Sequence, residues 1–311
     1  MNRVAINFRG YPYGSPLWVF LLCCSVAGRA QELAVDSVSI PGTEVAFALV
    51  ELPGGTVQLG GDATVTVSPF AIGTHEVTHD LYRLFQVREN DGPQAATDSW
   101  DVDAVTRPSP PYLDFTYGMG TRGGYPQVNT TQQAALRFCA WLYDKTGRFF
   151  RLPTEAEWEY ACLAGADSAP EDLSDYAWLY ENGEETYHRT GLKLPNAWGL
   201  FDMLGNVSEW TLDEYYEDYP QRVADASDPW MRPDGKHART VRGGSYDTYT
   251  EAAGCSERER SSPRWQARDP QIPKSKWWNV DSPFLGFRVV SPQGELTEDE
   301  VRAFFREAIV D

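Results

Sequence analysis

Residues 151–160 contain the most specific run in the chain, Arg151-Leu152-Pro153-Thr154-Glu155-Ala156-Glu157-Trp158-Glu159-Tyr160. Pro153 fixes φ and cannot continue a strand, so the chain turns there. Thr154 with Glu157 three residues later forms a capping box, which predicts a helix that begins after Thr154. Glu155 and Glu157 favour the positive end of this helix. The two carboxylates could also serve acid–base catalysis, but a charged first helical turn explains them more simply.

Two further runs follow in order along the chain. The second run is Asn196-Ala197-Trp198-Gly199-Leu200-Phe201-Asp202-Met203-Leu204-Gly205-Asn206-Val207-Ser208-Glu209-Trp210. The third run begins with Arg242-Gly243-Gly244-Ser245-Tyr246 and ends with Gly286-Phe287-Arg288-Val289-Val290. Three dense motifs in a fixed order are far more specific than any one of them.

Together these runs resemble the sulfatase-modifying-factor family, whose founding activity is formylglycine generation. The resemblance covers residues 43–291. It implies one α+β domain with the family's variant of the C-type-lectin-like fold and little regular secondary structure. The long segment 88–127, rich in Pro, Gly and Asp, is similar to a secreted bacterial branch of the family.

The first 30 of the 311 residues have the pattern of a secretory signal. A basic start precedes a short apolar run, Leu17 to Ala27, and Gly28-Arg29-Ala30 provides a small-residue cleavage site. We therefore predict a signal peptide at 1–30 and a linker at 31–42 before the domain. No other stretch approaches the ~20 apolar residues of a membrane-spanning helix. The expected location is secreted or periplasmic, with no membrane span after cleavage.

The C-terminal segment 292–311 predicts an amphipathic helix. Thr297 and Glu300 form a second capping box, and apolar residues recur along one face after it. This helix could dock on its own domain or on a partner, and its own domain is the simpler expectation. Upstream, Thr78 is a plausible N-cap, and a helix from Thr130 to Tyr143 should end at Gly147.

The formal net charge of −18 limits the partners of this chain. A protein this acidic is a poor ligand for nucleic acid or for an anionic membrane surface. The charge favours cationic partners or divalent metals, although a solvated acidic surface is the commoner explanation.

The second run also predicts a calcium site. Asp202 and Glu209 supply carboxylates, and a glycine-containing turn between them can direct carbonyl oxygens inward, which are the hard donors that calcium prefers. The spacing is not the EF-hand pattern. The resemblance implies the ligand set, in which Asp202 and Glu209 act with main-chain oxygens of Gly205 and Val207.

The cysteines separate this chain from the oxidases of the family. The resemblance implies copper(I) held by two thiolates shortly after the Gly-Gly-Ser-Tyr block, since soft sulfur ligands suit that ion. Here only Cys255 follows that block, and it resembles a different family cysteine that forms a disulfide with the one matched by Cys162. Cys139 would then be a free, buried thiol. Copper is not expected, and Ser245 and Cys255 remain only weak catalytic candidates.

Two smaller features bear on catalysis. Ser208 stands where oxidase members usually carry Trp beside the oxygen-binding pocket, which also argues against oxidase chemistry. His75 and His79 are four residues apart, as two metal ligands on one helix face would be. However, residues 76–78 read as an extended segment, and no third ligand has suitable spacing.

Five residues lie close in sequence to the family's substrate cleft. They could bind an extended peptide, a protein segment or a glycan through stacking and hydrogen bonds. Alternatively, most of them pack in the core, with buried arginines paired to acids. These cleft candidates are Arg242, Tyr246, Trp265, Trp277 and Trp278.

Three functional hypotheses remain open. The first is an exported sulfatase-modifying-factor-like domain without oxidase activity that acts as a binding or assembly module. The alternative is a formylglycine-generating oxidase with an altered copper site, which converts a sulfatase cysteine to formylglycine. A third is other enzymology in the same cleft, such as hydrolysis, for which no nucleophile–base pair is visible in the sequence.

Overall fold

The computed structural model describes residues 33–60, 63–87, 116–235, 237–266 and 282–310. Several sequence predictions fall on the remaining residues and lie outside the described part of the chain. They are the signal peptide at 1–30, most of the segment 88–127, and the cleft candidates Trp277 and Trp278.

The described residues form short strands and few helices. The strands in chain order are β1 (Val35–Ser39), β2 (Ala46–Leu52), β3 (Gly55–Leu59), β4 (Ala63–Val67), β5 (Phe70–Gly73), β6 (Ser208–Glu214), β7 (Arg239–Arg242), β8 (Glu259–Arg260), β9 (Leu285–Gly286) and β10 (Val290–Pro292). The helices are α1 (His79–Gln86), α2 (Gln132–Thr146), α3 (Glu155–Leu163), α4 (Tyr219–Val223) and α5 (Glu298–Ala308). This α+β mixture with much irregular backbone is the fold class that the sequence predicts.

Two four-stranded sheets and one hairpin organise the domain. The first sheet is antiparallel in the order β1-β2-β5-β10, and strands β3 and β4 form the separate hairpin. The second sheet has the order β8-β7-β6-β9, in which β6 and β9 run parallel. The predicted linker at 31–42 needs a correction, because its residues Val35–Ser39 form the edge strand β1 along β2.

The helix ends follow the capping signals in the sequence. The Thr78 side chain accepts a hydrogen bond from the Leu81 amide at the start of α1. The capping boxes at Thr154 and Thr297 are both present, which confirms the predicted starts of α3 and α5. Helix α2 begins after Thr131 and ends at Gly147, whose φ of 70° is accessible to glycine at little cost.

Buried side chains form two large clusters. In the first, α1, α2 and α5 pack together, and the Phe138 ring lies 5.6 Å from Phe287 and 5.4 Å from Tyr82. In the second, the β3–β4 hairpin packs on α3 around Trp158. Val301 and Phe305 join the first cluster, so the C-terminal helix docks on its own domain. Among the helices of the described ranges, none is long and apolar enough to cross a membrane.

Candidate functional site

The three motif runs meet around the second sheet. Strand β6 carries Glu209 and pairs with β7 so that Glu209 lies opposite Arg242, while its first residues run beside β9. Helix α3 packs against both β6 and β7. Motifs from three separate parts of the chain therefore contribute side chains to one buried layer.

Arg242 lies inside this layer and not in an open cleft. Its guanidinium donates to Glu155 at 3.2 Å, to Glu159 at 2.5 Å and to the Cys255 carbonyl at 2.6 Å. Arg258 also pairs with Glu155, with one contact of 3.1 Å. Of the two roles considered for Arg242, ligand binding in a cleft and packing in the core, the structure shows the second: a buried arginine paired with acids.

Glu157 is held in the same way. It accepts two hydrogen bonds from Arg151, at 2.6 and 2.7 Å, and one from the Thr154 amide at 2.8 Å. The expectation of an ordinary charged first turn on α3 is therefore incomplete, because Glu155 and Glu157 are buried and paired. Both carboxylates are neutralised by arginines, so neither is available as a free acid or base.

Glu209 and Arg288 form a further buried ion pair. The Arg288 Nη2 lies 2.6 Å from Glu209 Oε1, and Nε lies 2.8 Å from each carboxylate oxygen. The indole N–H of Trp158 donates to Glu209 Oε2 at 2.8 Å. Arg288 also donates to the carbonyl oxygens of Gly73 and Phe201. Both oxygens of Glu209 are thus engaged by protein donors.

Two neighbouring carboxylates each keep one oxygen without a partner. Asp202 accepts a hydrogen bond from the Gly191 amide at 2.6 Å through Oδ2, while its buried Oδ1 has none. Glu76 accepts from the Asn206 side chain at 2.8 Å, and its Oε2 is buried and unpaired. Burial raises the pKa of Asp202 to about 6 and that of Glu76 well above its usual range, and Asp202 further raises the pKa of Glu76.

These observations test the fit of the predicted calcium ligands. The free oxygen of Asp202 is a hard donor that suits the ion, and Gly205 occupies a turn where a Cβ would clash with the Trp178 carbonyl. Glu209 does not suit it, because Arg288 and Trp158 already use both of its oxygens. Within the described ranges, no three His, Cys, Asp or Glu side chains are arranged to hold a metal ion. The predicted set of four ligands, Asp202, Gly205, Val207 and Glu209, therefore does not fit a calcium ion as a whole. Calcium binding at Asp202 stays a prediction.

The described cysteines are arranged as the resemblance implies. Cys162 at the end of α3 is bonded to Cys255, and the two are 93 positions apart in the sequence. Cys139 is a free thiol in the interior of α2, and burial raises its pKa far above the usual range. The thiol of Cys139 therefore stays protonated, and it is a poor ligand and nucleophile.

Ser245 and Tyr246 of the Gly-Gly-Ser-Tyr block contact the second motif and the residues that follow the block. The Tyr246 amide donates to the Asn206 carbonyl at 3.0 Å, which joins the second and third motifs. The buried Ser245 hydroxyl accepts a hydrogen bond from the Asp247 amide at 3.2 Å. No base is bonded to this hydroxyl among the described contacts, so nothing here activates Ser245 as a nucleophile.

Trp265, His75 and His79, which were also considered as site residues, have other surroundings. Trp265 packs 5.3 Å from Phe284 and 6.4 Å from Trp210, so its ring covers the first core cluster. His75 lies in a bend before α1 and stacks on Phe201, whereas His79 is the first residue of α1. The two histidines do not share a helix face. Sequence reasoning missed Glu76, because nothing near it in the chain signals a buried acid.

Comparison with known proteins places this arrangement in a family. The model of the sulfatase-modifying factor enzyme 1-like domain matches residues 37–291. The chain belongs to the sulfatase-modifying-factor family. The formylglycine-generating enzyme of Thermomonospora curvata is 27% identical over 265 residues, covering 65% of this chain and 84% of that protein. The inactive C-alpha-formylglycine-generating enzyme 2 of Mus musculus is 28% identical over 305 residues, covering 81% and 88%.

Solved structures share the fold. Treponema denticola variable protein 1 superposes with a TM-score of 0.61 at 22% identity, covering 84% of this chain and 99% of that one. PvdO from Pseudomonas aeruginosa superposes with a TM-score of 0.59 at 22% identity, covering 82% and 100%. At this identity the similarity establishes the fold alone.

Proposed function

We propose that this protein is an exported member of its family that lacks oxidase activity and acts as a binding or assembly module. One observation carries the proposal. The chain after Ser245 contains a single cysteine, Cys255, and its sulfur is in the disulfide with Cys162. Copper(I) oxidase chemistry needs soft thiolate ligands, and no thiolate pair is available in this segment.

Two further observations support the proposal. A disulfide that persists in the native protein is typical of an oxidising compartment, in agreement with the signal-like sequence at 1–30. The similar proteins also include one that is named inactive, the Mus musculus relative, which covers 81% of this chain. The alternative is a formylglycine-generating oxidase in which Cys255 becomes a ligand after the disulfide is reduced.

Copper(I) titration and peptide oxidation test the proposal. The purified protein is titrated with copper(I), with and without blocked thiols. It is then incubated with a Cys-x-Pro-x-Arg peptide, and the mass of the peptide is measured by mass spectrometry. We expect no thiol-dependent copper binding and an unchanged peptide. The Cys255→Ser variant is the matched control under reducing conditions. Formylglycine formed by the wild-type protein and lost in that variant would establish the oxidase instead.

Calcium binding is a separate prediction, and a comparison of the protein in calcium and in a chelator tests it. We expect millimolar calcium to raise the melting temperature by a few degrees over that in EGTA, because a ligand that binds only the native state stabilises it. Asp202→Asn should abolish this shift, whereas Glu295→Gln, at an exposed position, should retain it. Equal melting temperatures of the wild-type protein in the two buffers would remove calcium from the proposed function.

A further inference from the structure

Exposed tyrosine rings are grouped beside the third motif. Tyr117, Tyr180 and Tyr249 expose 71%, 40% and 52% of their surface. The rings of Tyr180 and Tyr249 lie 4.5 Å apart at an interplanar angle of 44°. Tyr117 lies three residues before Gly120, whose carbonyl accepts a hydrogen bond from Tyr187, and the Tyr187 ring packs against Tyr246. Large apolar rings that are grouped and exposed mark an interaction surface.

The loops that carry these rings are fastened to each other. The Tyr180 amide donates to the Thr248 carbonyl at 2.9 Å. The Glu181 carboxylate accepts hydrogen bonds from the Thr250 amide at 3.2 Å and from its hydroxyl at 2.7 Å. The paired tyrosines are therefore held in place before any ligand arrives, which lowers the entropy cost of binding.

A buried layer of aromatic residues supports the rings from below. Tyr246 packs against Tyr187 at 6.1 Å, and Tyr187 packs against Tyr125 at the same centroid distance. The Tyr187 hydroxyl also donates to the Gly120 carbonyl at 2.8 Å, which ties in the loop that carries Tyr117. The segments that carry Tyr117 and Tyr249 are thus both joined to Tyr187.

Exposed carboxylates lie on the same two loops as the rings, and within the described part of the chain they have no salt-bridge partner. Asp247 is exposed and lies two residues before Tyr249, whose pKa is raised chiefly by Tyr180 and further by Asp247. Glu184 and Glu185 are also exposed, and none of the three acids forms a salt bridge with another described residue. The guanidinium of Arg189 lies over the partly buried Tyr125 ring, 5.5 Å from its centroid. The surface is therefore both aromatic and negatively charged.

The backbone beneath two of these acids is also unusual. Glu184 and Glu185 have φ values of 56° and 57°, and Tyr117 has 55°. The left-handed region is uncommon for residues other than glycine, and such conformations persist only where the surrounding structure fixes them. They occur here in the two loops that frame the exposed rings.

We propose that this tyrosine–carboxylate surface, formed by Tyr117, Tyr180, Glu184, Glu185, Asp247 and Tyr249, binds a partner polypeptide through a segment rich in Lys and Arg. The inference rests on the proposed binding function and names the partner's chemistry. Cationic side chains gain from the faces of the tyrosine rings and from the nearby carboxylates together. The net charge of −18 further steers a basic segment towards the protein. A neutral glycan would use the rings but not the excess carboxylates.

Model peptides test this proposal on the purified protein. Octa-arginine and octa-lysine are titrated at about 0.15 M salt, where charges farther apart than a Debye length are largely screened. Octa-glutamate and a neutral oligosaccharide are titrated in parallel. We expect binding of the two basic peptides alone, weakened by added salt. Binding of the oligosaccharide without the basic peptides would overturn the proposal in favour of a glycan.

Matched variants separate the surface from the general acidity of the protein. We expect Tyr249→Ala to weaken binding about 3- to 10-fold and Tyr249→Phe to retain most of it, because the aromatic face remains. Asp247→Asn should weaken binding several-fold. Glu295→Gln and Leu296→Ala, which change an exposed acid and an exposed apolar residue before α5, should leave binding within about 2-fold. Equal losses in the surface and control variants would overturn the proposal, since binding would then follow net charge.

The basic-peptide titration and the peptide-oxidation test can fail separately. A protein that does not bind basic peptides and does not oxidise the Cys-x-Pro-x-Arg peptide would remove this surface as a basic-segment site and leave the binding-module proposal for another ligand. A protein that oxidises that peptide would remove the binding-module proposal itself, whichever peptides it binds.

Discussion

Replacing Arg288 with methionine is expected to lower the free energy of unfolding by about 3–5 kcal/mol, and the protein can fail to fold at this cost. The guanidinium is fully buried and binds both oxygens of Glu209. Without it, the Glu209 carboxylate stays in the interior near the acids Glu76 and Asp202, each of which already has an unpaired oxygen. Carbonyl oxygens of Gly73 and Phe201 also lose a donor.

Chemical denaturation followed by tryptophan fluorescence measures this loss. Arg148→Met is the matched control, because Arg148 pairs with Asp36 at 2.6 Å on the surface, where such pairs contribute about 0–1 kcal/mol. The double variant Arg288→Met/Glu209→Leu removes both charges and should recover part of the loss. If Arg288→Met costs no more than Arg148→Met, the buried pair does not stabilise the fold as described.

Removal of the Cys162–Cys255 disulfide has the second largest expected effect. The bond closes a loop that spans 93 sequence positions. In the chain-entropy account, a loop near this length constrains the unfolded chain by about 4–5 kcal/mol, so the Cys162→Ala/Cys255→Ala variant should unfold at a clearly lower denaturant midpoint. Removal of the bond also breaks the covalent link between the end of α3 and the segment that follows the Gly-Gly-Ser-Tyr block, and leaves the hydrogen bonds from Ser256 and Arg258 to α3.

A reductant provides the control for this variant. Dithiothreitol should lower the midpoint of the wild-type protein towards that of the double variant and should leave the double variant unchanged. Cys139→Ala removes the buried free thiol and should keep the full response to reductant. A wild-type protein that does not respond to reductant and matches the double variant in stability would show that the disulfide does not form.

Local sequence signals predicted much of this structure. The Thr154–Glu157 capping box is decided within four residues, because cap and carboxylate lie on adjacent turns of one helix. Gly147 ends α2 for an equally local reason, its positive φ. The fold class followed from three motifs in order. The sequence also indicated that Cys255 lies outside a copper pair.

The partners of the buried acids could not be predicted from the sequence. Glu155 looks like a helix-dipole residue, yet Arg242 and Arg258 reach it from 87 and 103 positions away. Glu209 looks like a calcium ligand within its own motif. In the structure its cationic partner is the guanidinium of Arg288, which lies 79 positions away in the sequence. Such pairings depend on strand register and helix packing, which bring distant side chains into one buried layer.

The sequence and the tertiary structure determined different properties of this protein. The sequence by itself determined the family, the helix boundaries, the cysteine inventory and the acidic charge, because these depend on residue type and short-range spacing. Only the tertiary structure decided which acids are neutralised and which remain free beside exposed tyrosines. Burial and counter-ions are properties of contacts between distant segments. Glu155 is buried and paired with Arg242, whereas Asp247 is exposed, although both are carboxylates in or next to a motif run.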